Sequence, residues 1–272
     1  MVDTLVEYSP EGWDEYMNMI YGKHYLEFVD AIERNDFYSI SGEGGISFIG
    51  EKLFLTTDSH VLDLCSGIGG PARFLAKKYG CQVTGIDISE YNHNTAIKRT
   101  TEVGLENLVN FIQGDALDIP LPDQSVTHVI GCDSWTYFPE KVQLYKAAHR
   151  VLKPEGRLAF LEIAVELDDI DPNQFQFNKL LGRNYPETVS NYVIKLKEAG
   201  FGSIQYNDST EIVCKEITNV LYKMVTRRKK IIEIVGSSGF YYKLMEFWVE
   251  MLSYLSEREW NHCCFIALKN KK

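Results

Sequence analysis

The chain has 272 residues, of which 45% are hydrophobic and 24% charged, and its formal net charge at pH 7 is -10. This composition is typical of a folded globular domain, and no stretch approaches the roughly 18 uninterrupted apolar residues that a membrane span needs. The negative charge repels phosphate backbones, so a nucleic-acid substrate is disfavoured.

The six cysteines are scattered, without a C-x-x-C pair or a histidine partner at zinc-finger spacing. This distribution argues against a disulfide framework and a structural metal, so we expect no metal site. The acidic first residues lack the basic and apolar regions of a secretory signal. We therefore expect a cytoplasmic protein without membrane contact. The sequence leaves open whether it is a monomer or a homodimer.

Residues 1–57 are predicted to be mostly helical, because their aromatic residues recur at helical spacing along one face. These aromatics are Tyr16, Tyr21, Tyr25 and Phe28. The glycine-rich stretch 41–45 is expected to break the helical segment. We interpret residues 1–57 as an N-terminal helical cap and residues 58–272 as the domain that it covers.

From His60 onward, short apolar runs alternate with amphipathic segments. The predicted strands are 61–64, 82–88, 109–113, 126–131 and 156–163, and the predicted helices are 71–79, 90–103 and 141–152. Parallel strands need crossover connections, so repeated β-α units predict a doubly wound α/β sheet with helices on both faces.

The remaining third of the chain is predicted to carry two insertions. The segment of about 165–187 is acidic and rich in Asn and Gln, and the segment 210–257 has helical character. Between them, Pro186 is expected to begin a helix that ends at Gly200, and 262–268 is the last predicted strand. We interpret the two insertions as helical lids.

Chemistry-bearing residues follow the ends of successive predicted strands. The loop Asp63–Pro71 is glycine-rich and leads into a helix, so its backbone can approach a ligand and offers free N–H donors. Asp87 ends the second strand, where a carboxylate can accept both hydroxyls of a ribose. Asp115 follows the third strand, where an acid can accept from an adenine amino group. Cys132–Trp135 follow the fourth strand, close to where reacting groups should meet.

Several segments together resemble class I methyltransferases that use S-adenosylmethionine (SAM). They are similar in particular to the small-molecule group that includes sarcosine/dimethylglycine and phosphoethanolamine N-methyltransferases. The segments that carry the resemblance are Val61–Arg73, Gly85–Ile88, Gly114–Ala116, Arg150–Arg157, Ala199–Phe201 and Phe265–Lys269.

The resemblance implies a Rossmann-like, seven-stranded sheet of order 3-2-1-4-5-7-6 whose last strand is antiparallel. It also implies SAM as cofactor and S-adenosylhomocysteine (SAH) as product, with Asp87 holding the ribose and Asp115 with Ala116 meeting the adenine. The predicted cofactor-binding residues are Tyr25, Asp63, Cys65, Gly67, Gly69, Arg73, Asp87, Ile88, Asp115, Ala116, Leu117 and Cys132.

Methyl transfer from a sulfonium proceeds by in-line SN2 displacement, so the enzyme must mainly align the nucleophile and exclude water. An amine acceptor must also lose a proton before attack, which a nearby carboxylate, tyrosine or histidine can assist. The candidate catalytic residues are Tyr137, Trp135, Glu162 and His24. Each of them can equally be a packing or surface residue. The many aromatic residues and the acidic charge favour a small-molecule acceptor that is cationic or an amine.

Other functions remain open at this stage. O- or C-methylation of a natural-product or lipid-like acceptor is the alternative within the resemblance. The spacing Gly67-x-Gly69-x-x-Ala72 also satisfies the dinucleotide fingerprint, which suggests an NAD(P)-dependent Rossmann enzyme. That interpretation leaves the Gly114–Ala116 turn unexplained. A module that binds SAM without transferring a methyl group is a further alternative.

Overall fold

The computed structural model describes residues 21–34, 36–166 and 184–271. The strands are β1 (His60–Leu64), β2 (Gln82–Asp87), β3 (Val109–Gln113), β4 (Val126–Cys132), β5 (Leu152–Val165), β6 (Glu187–Thr188), β7 (Phe201–Asp208) and β8 (Trp260–Lys269). The α-helices are α1 (Lys23–Ala31), α2 (Gly42–Leu53), α3 (Gly70–Tyr79), α4 (Glu90–Glu102), α5 (Lys141–Val151), α6 (Val189–Glu198), α7 (Thr210–Thr226), α8 (Arg228–Val235) and α9 (Ser238–Ser256). A short 3-10 helix spans Trp135–Tyr137.

The strands form one sheet of order β3-β2-β1-β4-β5-β8-β7. β1 to β5 run parallel, and β8 is antiparallel to both β5 and β7. The two-residue β6 pairs with the carboxyl end of β5. With β6 set aside, this is the predicted order with its antiparallel last strand, so the predicted fold is confirmed. The order reverses between β1 and β4, and ligands of open α/β sheets bind at such a switch point.

Side chains of β1 alternate between the two faces of the sheet, as the period of a strand requires. Leu62 and Leu64 pack in the cluster that includes α5 and α6, whereas Val61 packs in the cluster that includes α2 and α3. Both faces of β1 are thus buried, which explains why it is a nearly continuous apolar run. A third cluster joins α1 to α7, α8 and α9 above the carboxyl ends of the strands.

The glycine-rich stretch 41–45 does not break a helix, contrary to the prediction, but begins α2. A Cβ atom at Gly45 would lie 2.4 Å from the Cβ of Ser41 and 2.9 Å from a methyl group of Leu161 on β5. The missing side chain lets the first turn of α2 pack tightly. This tertiary contact outweighs the low helix propensity of glycine.

The helix predicted to begin at Pro186 begins three residues later. Residues Glu187 and Thr188 pair with β5, and the Thr188 hydroxyl then caps α6 by accepting the Asn191 N–H at 3.2 Å. β6 and β7 were not delimited from the sequence. β7 lies at the edge of the sheet and is largely exposed, so its apolar pattern is weak.

Parts of the predicted cap and insertion fall outside the described residues, namely 1–20, Asn35 and 167–183. Helices α7 to α9 occupy the segment 210–257 for which helices are predicted. Within the described ranges, none of the helices combines the length and the apolar character that a bilayer crossing requires.

Candidate active site

A cleft of about 1150 Å³, counting the space at its mouth, lies at the carboxyl ends of the parallel strands. One end is lined from the loops after the first four strands, by Cys65, Gly67, Ile86, Asp87, Ile88, Asn92, Gly114, Asp115, Ala116 and Cys132. The other end is lined from the cap, the turn after β4, β5 and α9, by Tyr21, Tyr25, Tyr38, Ser39, Ile40, Asp133, Ser134, Thr136, Tyr137, Phe138, Glu162, Ile163, Asn184 and Phe247. We call these the strand-tip end and the cap end.

The carboxylate of Asp87 accepts hydrogen bonds from two segments of the strand-tip end. Its Oδ2 accepts the Gly67 N–H at 2.8 Å, which ties the glycine loop after β1 to the end of β2. Its Oδ1 accepts the Ser89 N–H at 3.0 Å and the Asn92 side-chain amide at 3.3 Å. Asp87 thus joins the loop after β1 and the start of α4 at the wall of the cleft.

The loop after β1 depends on a glycine at position 69. Its φ of +79° lies in the left-handed region, and a Cβ atom there would lie 2.4 Å from the ring of Phe111 on β3. Both the backbone angle and the space exclude a larger residue. Gly69 therefore shapes the loop from behind and does not line the cleft.

Asp63 lies beneath the same loop and is 1% exposed. Burial, followed by the nearby charge of Asp87, raises the pKa of the Asp63 carboxyl to about 8. Its Oδ2 has no hydrogen-bond partner among the residues that the structure describes. A buried carboxyl with an unsatisfied oxygen is costly, so this position fits a site that receives a hydrogen-bond donor.

Asp115 begins the turn after β3. Its Oδ1 accepts the Leu117 N–H at 2.9 Å, which fixes the turn and keeps Ala116 against the cleft. Leu117 itself packs against the apolar cluster of α5 and α6. Two carboxylates from neighbouring strand ends thus face one cleft.

Glu162 near the end of β5 is 2% exposed and lines the cap end. Its Oε1 accepts the N–H groups of Trp135 at 2.5 Å and Thr136 at 3.2 Å. Burial, followed by the charge of Asp133, raises its pKa to about 8, although Lys141 and the two N–H groups act in the opposite direction. Glu162 is therefore a carboxyl group that can hold a proton near neutral pH.

Tyrosine rings form much of the wall of the cap end. The phenol oxygens of Tyr21 and Tyr137 are in direct hydrogen-bond contact. Tyr21 also stacks on Tyr38, with ring centroids 5.7 Å apart, and meets the edge of Tyr25 at 5.3 Å. Burial raises the pKa of Tyr25 to about 12, so this phenol stays neutral.

Most of the predicted site residues lie together on this cleft. Those that line it are Tyr25, Cys65, Gly67, Asp87, Ile88, Asp115, Ala116, Cys132, Tyr137 and Glu162. Asp63, Gly69 and Leu117 lie behind its wall, as described above.

Three predicted residues have other surroundings. His24 is exposed and contacts Glu27, with Nδ1 and Oε2 3.2 Å apart. Trp135 is fully buried with its ring 4.8 Å from that of Phe160. Arg73 is turned toward the cap, where its Nη2 donates to Asp36 at 2.6 Å. None of these three lines the cleft.

Several residues of the cap end are not among the predicted site residues, namely Tyr21, Tyr38 and Asp133, although Asp133 lies in the segment expected near the reacting groups. Tyr21 belongs to the aromatic series noted in the cap, which was a usable signal. Asp133 follows Cys132 at a strand tip, and its φ of +54° is unusual for a residue other than glycine. Tyr38 is separated from any motif, so only the fold brings it to the cleft.

The chain is similar to methyltransferases both in sequence and in structure. Residues 62–160 match the model of a family described as a methyltransferase domain. Methyltransferase GfsG of Streptomyces halstedii is 32% identical over 174 residues, which cover 63% of this chain and 63% of that protein. A sarcosine/dimethylglycine N-methyltransferase of Halorhodospira halochloris is 31% identical over 57% of this chain and 56% of its own length.

A sterol 24-C-methyltransferase of Gibberella zeae is 27% identical over 76% of this chain and 53% of its own length. The chain therefore spans less than two thirds of each of these relatives. Among solved structures, phosphoethanolamine N-methyltransferase 2 of Haemonchus contortus, in complex with phosphomonomethylethanolamine and SAH, superposes with a TM-score of 0.86 at 20% identity. It covers 97% of this chain and 61% of that one. The predicted resemblance is confirmed.

Proposed function

Since residues 62–160 match the model of a methyltransferase-domain family, we propose that the chain transfers a methyl group from SAM to a small-molecule acceptor and releases SAH. One observation carries this proposal most directly. Asp87 and Asp115, from neighbouring strand ends, face the same cleft as the glycine loop after β1. Two acceptor groups beside a bent backbone suit a nucleoside, which offers hydroxyl and amino donors.

The strand-tip end fits SAM in its chemistry. Asp87 would accept from the ribose hydroxyls, and Asp115 with Ala116 would meet the adenine. Ile86 and Ile88 supply apolar surface for the base. The unpaired, buried oxygen of Asp63 lies under the loop that would receive the methionine part. A cofactor with ammonium and sulfonium groups also suits a cleft lined by carboxylates.

The bound cofactor supplies a methyl group that its sulfonium already activates. The residues of the chain must then align the acceptor and exclude water. Tyr21, Tyr25 and Tyr38 from the cap cover the cap end, and Tyr137 approaches them from the turn after β4. These rings close the cleft above the strand tips.

We propose an amine nitrogen as the methyl acceptor. Tyrosine faces attract ammonium groups, and two carboxyl groups, Asp133 and Glu162, line the same end. Glu162 is a candidate to accept the proton of the amine. A cation beside it lowers the pKa of the carboxyl, so the group ionises and can then take up a proton. The contacting phenols of Tyr21 and Tyr137 are a second route for the proton.

The alternative acceptor is an oxygen or carbon nucleophile on a natural-product or lipid-like molecule. Apolar walls at the cap end favour it, since Ile40, Ile163, Phe138 and Phe247 line the cleft together with the tyrosines. The name of the sterol relative supports the same alternative.

We further propose that the protein acts in the cytoplasm on small molecules, without a nucleic-acid partner. Its six cysteines are all unpaired, which fits a reducing compartment. The division into a cap over residues 1–57 and a domain over 58–272 also remains a proposal. The same holds for the lid role of the insertions, and for the choice between monomer and homodimer.

The test is product formation from labelled SAM with a panel of amines, phenols, thiols and carbon acids. We expect one molecule of SAH to form for each methyl group transferred to an amine.

Asp115→Ala should weaken SAM binding, whereas the control Asp118→Ala, an exposed acid outside the cleft, should not. Methylation of a phenol or carbon acid instead would favour the alternative. No product from any class would indicate a binding module, and binding of NADH without SAM would overturn the proposal.

A further inference from the structure

His262 lies on β8, is fully buried, and is not part of the cleft lining. Its Nε2 lies 2.6 Å from Oδ1 of Asp133, which does line the cleft. A carboxylate oxygen accepts, so Nε2 carries the hydrogen. On the other side of the ring, Nδ1 lies 2.7 Å from the hydroxyl oxygen of Ser209. The imidazole is thus held at both nitrogens, with one of them directed at the active-site wall.

The other carboxylate oxygen of Asp133 accepts hydrogen bonds from Ser41 in the cap. Oδ2 accepts the Ser41 N–H at 2.9 Å and the Ser41 hydroxyl at 2.6 Å. Ser41 precedes α2, and its side chain makes no capping hydrogen bond to that helix. The serine is therefore used to join the cap to the turn after β4, across 92 residues of sequence.

Residues 38–41 form a wall segment that is held from two directions. Tyr38, Ser39 and Ile40 line the cleft, and Ser41 is anchored by Asp133. In addition, Nη2 of the buried Arg34 donates to the carbonyl oxygens of Ser39 at 2.6 Å and Ile40 at 3.3 Å. The position of this wall depends on hydrogen bonds rather than on secondary structure.

The carboxylate of Asp133 lies between His262 and Ser41 and contacts both. The Asp133 side chain is 7% exposed, and its residue has a left-handed φ of +54°, which residues other than glycine seldom adopt. Removal of the imidazole donor would leave a buried carboxylate oxygen without this partner, which is costly, so reorientation of the carboxylate is expected. The anchoring of Ser41 would change with it.

We propose that His262 is a positioning residue that acts through Asp133 to hold the wall segment 38–41 and thereby sets the affinity for the acceptor. The effect on the wall follows from the hydrogen bonds alone. Only its effect on acceptor affinity rests on the proposed methyltransferase function.

The test compares His262→Leu, His262→Gln and the control His60→Leu in the full chain with SAH added. His60 loses a similar bond, from its Nε2 to the Thr84 hydroxyl at 2.8 Å, at the opposite end of β1 from the cleft. The first readout is hydrogen exchange of the Ser41 amide, which itself donates to Asp133. We expect His262→Leu to accelerate it roughly tenfold, His262→Gln to restore it because its amide supplies the donor, and His60→Leu to leave it unchanged.

The second readout is a double-mutant comparison. In an Asp133→Ala background, His262→Leu should cause no further acceleration at Ser41, because alanine has no acceptor and the path through Asp133 is already broken. Unchanged exchange in His262→Leu, equal acceleration in His60→Leu, no rescue by His262→Gln, or additive effects of the two substitutions would each overturn the positioning role.

The third readout uses the amine that the panel identifies. His262→Leu should raise its KM about tenfold while the SAM dissociation constant and kcat stay within about threefold. A fall in kcat at constant KM would refute the effect on affinity. Absence of turnover in the unsubstituted protein would refute the proposed function, and the exchange measurements would still decide the role of His262.

Discussion

Glu162 is subject to two opposing influences on its carboxyl group. Two backbone N–H groups from Trp135 and Thr136 stabilise the ionised form, whereas complete burial beside Asp133 favours the neutral form. Burial is the larger influence, and the pKa rises to about 8 from an ordinary value of 4.5. The group that could receive a proton from an amine is therefore also a group whose ionisation costs stability.

This cost predicts how stability depends on pH. Between about pH 4.5 and pH 8 the folded protein keeps the Glu162 proton that the unfolded chain has released, so the free energy of unfolding falls as pH rises through this window. Glu162→Gln cannot ionise and removes that fall. Between pH 5 and pH 8, the free energy of unfolding of the variant, measured in urea, should therefore rise by at least about 1 kcal/mol relative to that of the unsubstituted protein.

The exposed Glu259 provides the control for this measurement. Glu259→Gln should show no such shift across the same pH range. A difference between Glu162→Gln and the unsubstituted protein that is independent of pH would contradict the raised pKa.

The sequence predicted the carboxylates of the strand-tip end but not the side-chain partners of the cap end. Asp87 and Asp115 were found because the end of a parallel strand fixes where the next side chain lies. The contact of the Arg73 side chain could not be predicted in this way, because its partner Asp36 comes from a distant part of the chain. Trp135 was ambiguous for another reason, because a tryptophan at a strand tip serves packing as well as binding.

Ion pairs join the cap to the helices after β1 and β2. Asp36 accepts from Arg73 on α3 and from Arg99 on α4, and Arg99 also pairs with Asp30 on α1 at 2.8 Å. The side chains of Arg99 and Asp36 are 20% and 21% exposed. Partial burial makes this network stronger than an isolated surface pair.

Arg99→Gln should therefore loosen the cap. We expect a loss of about 1–2 kcal/mol in the free energy of unfolding, and faster hydrogen exchange in α1 than in β1. The control is Lys98→Gln on the same helix, whose exposed pair with Glu102 spans 3.9 Å. Its effect should stay below about 0.5 kcal/mol. Equal effects of the two substitutions would argue against a role of the network in holding the cap.

Elements with a clear period were predicted well, and elements defined by tertiary contact were not. The β-α units from β1 to β5 follow from alternating apolar patterns. The start of α2 at Gly42 was missed, because the close approach at Gly45 depends on Leu161 from β5. β6 was missed because two residues carry no periodicity.

At the scale of the whole molecule, ligand binding and folding should be coupled. The cleft lies between the sheet and the cap, so a ligand that binds only the folded chain stabilises both parts together. SAH at 100 times its dissociation constant should add about 2.7 kcal/mol, which raises Tm by roughly 5–10 °C. Differential scanning calorimetry with increasing SAH measures this shift.

Asp87→Ala tests whether the shift comes from the proposed cofactor site. Loss of its hydrogen bonds should weaken SAH binding by about 1.5–3 kcal/mol, so the shift in Tm at the same SAH concentration should fall to about half or less. An undiminished shift would mean that the ribose lies elsewhere.

Some side chains of the turn after β4 pack in the core, and others line the cleft. Trp135 packs beneath it against Phe160, over Gly131 where a Cβ atom would lie 2.2 Å from the indole, whereas Ser134, Tyr137 and Phe138 face the cleft. Substitutions at the three outward positions can thus alter ligand preference while the buried indole preserves the path of the backbone. Such a turn is a natural starting point for the directed evolution of ligand preference, because the varied side chains line the cleft.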